Sequence, residues 1–212
     1  MELHLWLAYF AAMLALALSP GPGAVLSMGH GLSYGLRQTT VTIVGMQVGV
    51  VIIFLIAGLG VGAILLASGT AFAVIKGLGA AYLIWLGVQQ WRAPVHAASA
   101  DVTARPLAHL TASQRFTRGV LTDVTNPKGI VFMVAVLPQF IQPGQPLATQ
   151  LAILLATTIA IDVVVMHGYA GLASVLRRYL SSTRAQRVQN RLTGGVLMFM
   201  GAAVALMGRA EA

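Results

Sequence analysis

The chain has 212 residues, of which 58% are hydrophobic and 8% are charged, with 13 Lys and Arg against 5 Asp and Glu. Soluble domains are usually ~45–50% apolar and ~25% charged, and disordered chains combine low hydrophobicity with high charge, so the composition excludes both classes. The absence of cysteine excludes thiol-redox chemistry and cysteine-based zinc sites. We expect an all-α integral membrane protein, and at ~20 apolar residues per spanning helix the chain can hold six spans.

The first predicted span is apolar but interrupted. No Asp, Glu, Lys or Arg lies between Glu2 and Arg37, and a Ser-Pro-Gly-Pro-Gly segment at residues 19–23 divides this run. Ser is a good N-cap, and Pro is favoured at the first position of a helix. We therefore predict an uncleaved, broken span in which a second half-helix begins at Ser19-Pro20, inside the membrane.

The second and third predicted spans are continuous. They cover residues 41–67 and 71–91, with Gln47 inside the second span and Lys76 near the start of the third. A polar stretch rich in Arg, Ser and Pro, residues 92–118, follows them. Such a composition is typical of a loop or a surface segment.

The second half of the chain again has one broken span and two continuous spans. Its predicted segments are the fourth span (residues 119–141), a turn (142–146), the fifth span (149–176), a basic connector (177–191) and the sixth span (192–208). The fourth span contains Asp123 and the sequence Asn126-Pro127-Lys128, and Asp162 lies at the middle of the fifth. Asn126-Pro127 again has the cap and the proline of a helix start.

The distribution of Arg and Lys predicts the orientation in the membrane. The connectors of one side contain ten basic residues, namely Arg37, Arg92, Arg105, Arg115, Arg118, Arg177, Arg178, Arg184, Arg187 and Arg191. The other side, which holds both termini, carries only Lys76 and Arg209. Because positively charged loops stay in the cytoplasm, we expect the connector 93–115 to be cytoplasmic. Both termini would then be periplasmic in a bacterial inner membrane, and the positive charge reflects topology and not nucleic-acid binding.

The interruptions of the two halves correspond. Ser19 and Asn126 are 107 residues apart, whereas Gln47 and Asp162 are 115 apart. Three spans per half is an odd number, so the two halves would have opposite orientations. We predict one transmembrane domain, residues 1–212, built from inverted repeats at 1–92 and 116–212, an arrangement found in secondary transporters. The alternative is a chance alignment of helices rich in small residues.

The two interruptions predict a substrate site near the middle of the membrane. Pro20, Pro22 and Pro127 lack a backbone N–H and free carbonyl groups four residues earlier. The N-terminus of a half-helix presents free amides that suit a carboxylate, and the freed carbonyls suit an ammonium group or a cation. Together they suit an amino-acid zwitterion. The alternative is a plain kink whose backbone groups are satisfied by neighbouring helices.

Asp162 is the single residue that most strongly indicates a function. A charged residue at the centre of a span costs ~2.5–3.5 kcal/mol on insertion scales and is functional by default, although a neutral Asp can also join helices by hydrogen bonds. Asp123 and Lys128 can pair with each other or with Asp162, or Lys128 can contact a substrate carboxylate. Gln47 either lines the site or joins two helices. With five carboxylates and no cysteine, we expect no metal site and no cofactor.

Several motifs resemble the signatures of the lysine-exporter, or LysE/RhtB, family of bacterial amino-acid exporters, and they follow one another along nearly the whole chain. They are Ser19-Pro20-Gly21-Pro22 with Gly35-Leu36-Arg37, the segment KGLGAAYLIWLG at residues 76–87, Phe116-Thr117-Arg118-Gly119, Asn126-Pro127-Lys128-Gly129, Leu137-Pro138-Gln139-Phe140, and Asp162 followed by Tyr169-Ala170.

This resemblance implies export of amino acids or their derivatives, including lysine, homoserine, threonine and leucine, driven by the proton gradient. We favour the homoserine, threonine and neutral branch, because the site offers few carboxylates for a cationic side chain. In this hypothesis Lys128 and the half-helix amides bind the carboxylate, and Asp162 takes the coupling proton or the substrate ammonium group, with Asp123 as the other candidate for the proton. The partners would be the substrate, protons and lipid, with homo-oligomerisation left open. The alternatives are an exporter of metal or other small cations, a membrane enzyme, and a structural subunit.

Overall fold

In the computed structural model the described residues are 1–67, 69–93, 110–142, 144–173 and 183–206, and the elements assigned in them are all helical. The helices are α1 (Leu3–Leu18), α2 (Pro22–Ala67), α3 (Gly69–Trp91), α4 (Ala112–Val124), α5 (Pro127–Ala135), a 3-10 helix (Leu137–Phe140), α6 (Leu147–Gly171) and α7 (Thr183–Leu206). The expected all-α fold is therefore confirmed for this part of the chain.

Within the described ranges, two helical stretches are long and apolar enough to cross a membrane. They are Pro22–Gly60 and Leu147–Gly171. A third is obtained if Ala112–Val124 and Pro127–Phe140, which meet at 51°, count as one broken span. Many large apolar side chains point outward, and Leu206, Phe199 and Leu59 are 75–85% exposed. So much exposed apolar surface identifies a membrane protein, whose outer side chains face lipid.

Gly35 divides α2 into two helices that fold back on each other, which we label α2a (residues 22–34) and α2b (residues 36–67). The Nδ1 atom of His30 lies 2.6 Å from Oγ1 of Thr42, although twelve residues of continuous helix would separate them by ~18 Å. The chain reverses at Gly35 because its φ of 74° and ψ of 167° fall in a region that is essentially restricted to glycine. The reversal needs no loop, so α2b begins earlier than the predicted second span.

Two other helices also begin earlier than the apolar runs that predicted them. α4 begins at Ala112, inside the predicted connector, where the side chain of Thr111 accepts from the amide of Gln114 in a capping box. α7 begins at Thr183, inside the predicted basic connector. Hydropathy marks the part of a helix that lies in lipid, whereas Arg, Gln and Ala extend a helix beyond it. The predicted connector residues 94–109 and 177–182, and Arg209, lie outside the described residues.

Glycines let the helices approach each other closely. A Cβ atom at Gly119 would overlap the carbonyl of Thr42, and one at Gly45 would overlap the carbonyl of Phe116, so α4 and α2b touch backbone to backbone. Small residues permit such approaches in membranes, where lipid removes the hydrophobic drive for helix association.

The contact between α3 and α7 is reciprocal. A Cβ atom at Gly87 would meet Gly194 and Met198, and one at Gly201 would meet Ala80 and Ile84. Adding 114 to the numbers of the first helix gives those of the second, so that 80, 84 and 87 correspond to 194, 198 and 201. The two helices therefore contact each other through equivalent positions.

The reversal at Gly35 gives a direct stability prediction. Gly35→Ala forces a side chain into a glycine-only conformation and should lower the free energy of unfolding by about 1–3 kcal/mol. Gly29→Ala is the matched control, because a Cβ atom there meets nothing within 4 Å. The melting temperature of the purified protein in detergent should fall for the first variant only, and equal melting temperatures would refute the role given to Gly35.

Candidate functional site

The ends of four helices meet around a cavity of about 50 Å³, enough for a few water molecules. Its polar lining residues are Ser19, Asp123, Asn126, Lys128 and Asp162, and its wall also includes Gly21, Gly23, Ala24 and four methionines. The cavity thus lies between the end of α1, the start of α2a, the α4–α5 break and the middle of α6. An amino acid would need a larger cavity than this one.

The structure brings most of the predicted site residues together. Gln47 contacts Asp162, although it does not itself line the cavity. Pro20, Pro22 and Pro127 are not lining residues either, and they act through the backbone by ending or starting helices.

The break in the first span differs in detail from its prediction. Ser19 is the C-cap of α1 and not the N-cap of the next half-helix, because its amide donates back to Ala15 and Leu16. α2a begins at Pro22. The residue before a proline is disfavoured in the helical region, so neither Ser19 nor Gly21 continues a helix and the break is longer than one residue.

The break in the fourth span agrees with its prediction. Asn126 is the N-cap of α5, and its side-chain oxygen accepts from the amide of Lys128 at 3.1 Å. Pro127 occupies the first helical turn, where its missing N–H has no acceptor to lose. The cap therefore fixes the direction in which the side chain of Lys128 leaves α5.

Lys128 bridges the two broken spans. Its ammonium group donates to the carbonyl oxygen of Leu16 at 3.0 Å and to that of Ser19 at 2.8 Å. These carbonyls form the negative end of α1 and lack the partners that a continuing helix would provide. The sequence predicts that Pro20 leaves the carbonyl of Leu16 without its helical donor. In the structure the ammonium group of Lys128 donates to this carbonyl.

The two aspartates of the cavity have different surroundings. Oδ2 of Asp162 accepts from the amide nitrogen of Gln47 at 2.6 Å. Oδ2 of Asp123 is inaccessible and has no hydrogen-bond partner among the described residues. In this part of the chain neither carboxylate lies within 4 Å of the Lys128 ammonium group, so the suggested ion pairs are not formed in this conformation. The carboxylate of Asp123 has a side-chain hydrogen bond with Asn126, and its Oδ2 atom is, among the described residues, the unpartnered acceptor at the cavity.

A tyrosine on α6 donates a hydrogen bond to a second carbonyl group at the end of α1. The hydroxyl of Tyr169 donates to the carbonyl of Leu18 at 2.9 Å, which was the carbonyl predicted to be freed by Pro22. The third predicted carbonyl, that of Asp123, accepts from the amide of Asn126 at 3.0 Å. The expected carbonyls thus lack the amide donor four residues later, and other donors within the protein, including the Ser19 amide at Leu16, satisfy them.

Two polar contacts were missed from the sequence. Tyr9 is fully buried and its hydroxyl lies 2.6 Å from that of Thr158, which ties α1 to α6. Arg115 was counted as a connector charge, yet it is 9% exposed, lies 5.0 Å from the ring centre of Tyr34 and donates to Gln38 at 2.8 Å. The sequence signal for the contact of Tyr9 was that it is the only Tyr before the first helix break. Nothing in the sequence distinguishes Arg115 from the other Arg residues near it.

Interrupted helices whose ends meet at a polar cavity between membrane helices define a polytopic membrane transport protein. Residues 14–208 match the model of the LysE type translocator family. The chain therefore belongs to this family of transporters and is not an enzyme, as the motifs predicted.

The relatives cover nearly the whole chain. A homoserine/homoserine lactone efflux protein of Salmonella typhimurium is 40% identical over 97% of this chain and 98% of its own length. An uncharacterized membrane protein of Vibrio cholerae is 42% identical over 97% and 98%, and a leucine efflux protein of Enterobacter is 28% identical over 96% and 95%. No solved structure matches the chain significantly.

The cap at the α4–α5 break can be tested by substitution. Asn126→Ala removes the acceptor for the Lys128 amide and should cost about 1 kcal/mol of stability. Asn126→Ser keeps a neutral capping oxygen and is the control. We expect the melting temperature in detergent to fall for Ala and to stay nearer the wild-type value for Ser. If both variants melt alike, the cap does not stabilise the break.

Proposed function

We propose that the chain forms six spans arranged as two inverted repeats. The first repeat would consist of α1 with α2a, then α2b and α3, and the second of α4 with α5, then α6 and α7. The reciprocal contact between α3 and α7 supports this arrangement. So does the hydrogen bond between Gln47 and Asp162, since equivalent residues of two repeats meet where a pseudo-two-fold axis passes between them.

We propose that the protein exports amino acids or their derivatives across the bacterial inner membrane, with both termini on the periplasmic side. The observation that carries this proposal is the pairing, in one cavity, of an unpartnered carboxylate oxygen of Asp123 with the start of α2a. The relatives named for homoserine and leucine efflux support the substrate class.

The cavity has a complementary place for each end of a zwitterion. Helix geometry leaves the amides of Gly23 and Ala24 without acceptors inside α2a, and both residues line the cavity. These amides would bind the substrate carboxylate, together with the third N–H of the Lys128 ammonium group, which two carbonyls leave unused. Oδ2 of Asp123 would accept from the substrate ammonium group.

Asp162 would carry the coupling proton. It is buried in the middle of α6 and is held by Gln47, and burial penalises the charged form of a carboxylate. Alternating access would then require the proton and the substrate to bind in turn. Asp123 stays the second carboxylate available for this role.

Transport by reconstituted protein tests this function. Proteoliposomes would be loaded with labelled amino acids, including homoserine and leucine, and efflux would be measured with and without an imposed pH gradient. We expect the gradient to accelerate the loss of one or a few amino acids. If folded protein releases none of them but releases a metal ion, the alternative of a cation exporter replaces the proposal.

The same vesicles test the role of Asp162. Asp162→Asn cannot carry a proton, so it should lose gradient-driven efflux while it retains exchange of labelled for unlabelled substrate. Glu2→Gln is the matched control, because Glu2 is an exposed carboxylate at the terminus. Normal gradient-driven efflux by Asp162→Asn would remove this residue from the coupling mechanism.

A further inference from the structure

We propose that Lys128 is held on the carbonyls of α1 so that Asp123 stays free for the ammonium group of the substrate. The carbonyl pair of Leu16 and Ser19 thus acts as a resting position for an ammonium group that would otherwise compete with the substrate. This inference rests on the proposed function, in which the substrate carries an ammonium group.

The hydrogen-bond partners of Lys128 are unusual. A buried charge is costly unless it is paired or well hydrogen-bonded, and Lys128 shares its cavity with two carboxylates. Its ammonium group nevertheless donates to two carbonyls of α1 at 2.8 and 3.0 Å. Since Oδ2 of Asp123 has no partner among the described residues, the two groups are kept apart within one cavity.

Gly21 provides the space for this resting position. A Cβ atom at Gly21 would lie 3.3 Å from Nζ and 3.4 Å from Cε of Lys128. The first of these distances is tighter than ordinary van der Waals contact, so a side chain at Gly21 would force the ammonium group to shift by a few tenths of an ångström and would weaken its hydrogen bonds to the two carbonyls. Gly29, in α2a, differs, because a Cβ atom there would meet nothing within 4 Å.

A displaced Lys128 would become a tethered competitor. Its ammonium group sits on a flexible four-carbon stem, and tethering gives it a high effective concentration at any carboxylate within reach. Asp123 is the open acceptor in the same cavity. The substrate ammonium group would then have to displace Lys128 from Asp123 before it could bind.

The test measures binding of radiolabelled L-homoserine to the full-length protein in lipid nanodiscs. Gly21→Ala should weaken binding by at least about fivefold, the size of coupling seen between neighbouring residues. Gly29→Ala is the matched control, because Gly29 lies in α2a outside the cavity and a Cβ atom there meets nothing within 4 Å, so this variant should bind as wild type does. Equal affinities for the two variants would overturn the proposal.

A double variant separates competition from a simple steric effect. The single variant Lys128→Met should weaken binding of the substrate carboxylate. It also removes the ammonium group that could compete with the substrate for Asp123. In that background Gly21→Ala should cause no further loss. If Gly21→Ala costs the same factor with Met as with Lys at position 128, Gly21 acts without Lys128 and the resting position is refuted.

A measurement without substrate keeps this inference separate from the proposed function. Carbodiimides modify carboxyl groups, and mass spectrometry locates the product. Asp123 should react in wild type and in Gly29→Ala, be protected in Gly21→Ala, and react again in the double variant with Lys128→Met. Unchanged labelling across this set would overturn the inference even if homoserine is transported. Failure of homoserine binding with the expected labelling would count against the proposed substrate alone.

Discussion

The carbonyl groups at the end of α1 need hydrogen-bond donors, because lipid provides none and an unsatisfied backbone group in a membrane costs several kcal/mol. Pro20 and Pro22 remove the donors that a continuing helix would supply. Lys128 and Tyr169 replace them, one from α5 and the other from α6. These bonds join the end of α1 to α5 and to α6, and the position of Lys128 at the cavity depends on them.

Close helix packing makes these bonds possible. Gly119 and Gly45 bring α4 against α2b, and Asp123 lies on the same face of α4, one turn after Gly119. α2b in turn brings Gln47 to Asp162. Since a Cβ atom at either glycine would overlap a carbonyl of the other helix, the spacing of the polar residues around the cavity depends on residues that have no side chain.

The sequence predicts where the helices break better than it predicts which groups form hydrogen bonds at the breaks. Apolar runs, Pro and the cap residue located both interruptions, and the α5 start at Asn126 is confirmed. The start of α2a was wrong by two residues, because two prolines in alternation keep both Ser19 and Gly21 out of a helix. The carbonyl partners of Lys128 lie more than a hundred residues away, and such pairings depend on tertiary packing that no local pattern encodes. The reversal at Gly35 was expected only as a loop, since a glycine does not reveal its φ.

Protection of an introduced thiol by substrate shows whether the helix breaks form the substrate site. The chain has no cysteine, so Ser19→Cys places a single thiol on the cavity wall, and Ser113→Cys places one on the exposed face of α4. The rate of alkylation by a small water-soluble reagent would be measured in nanodiscs with and without L-homoserine or L-leucine. The account predicts that the transported amino acid slows alkylation at position 19 and leaves position 113 unchanged. Equal alkylation at position 19 with and without a transported amino acid would contradict it.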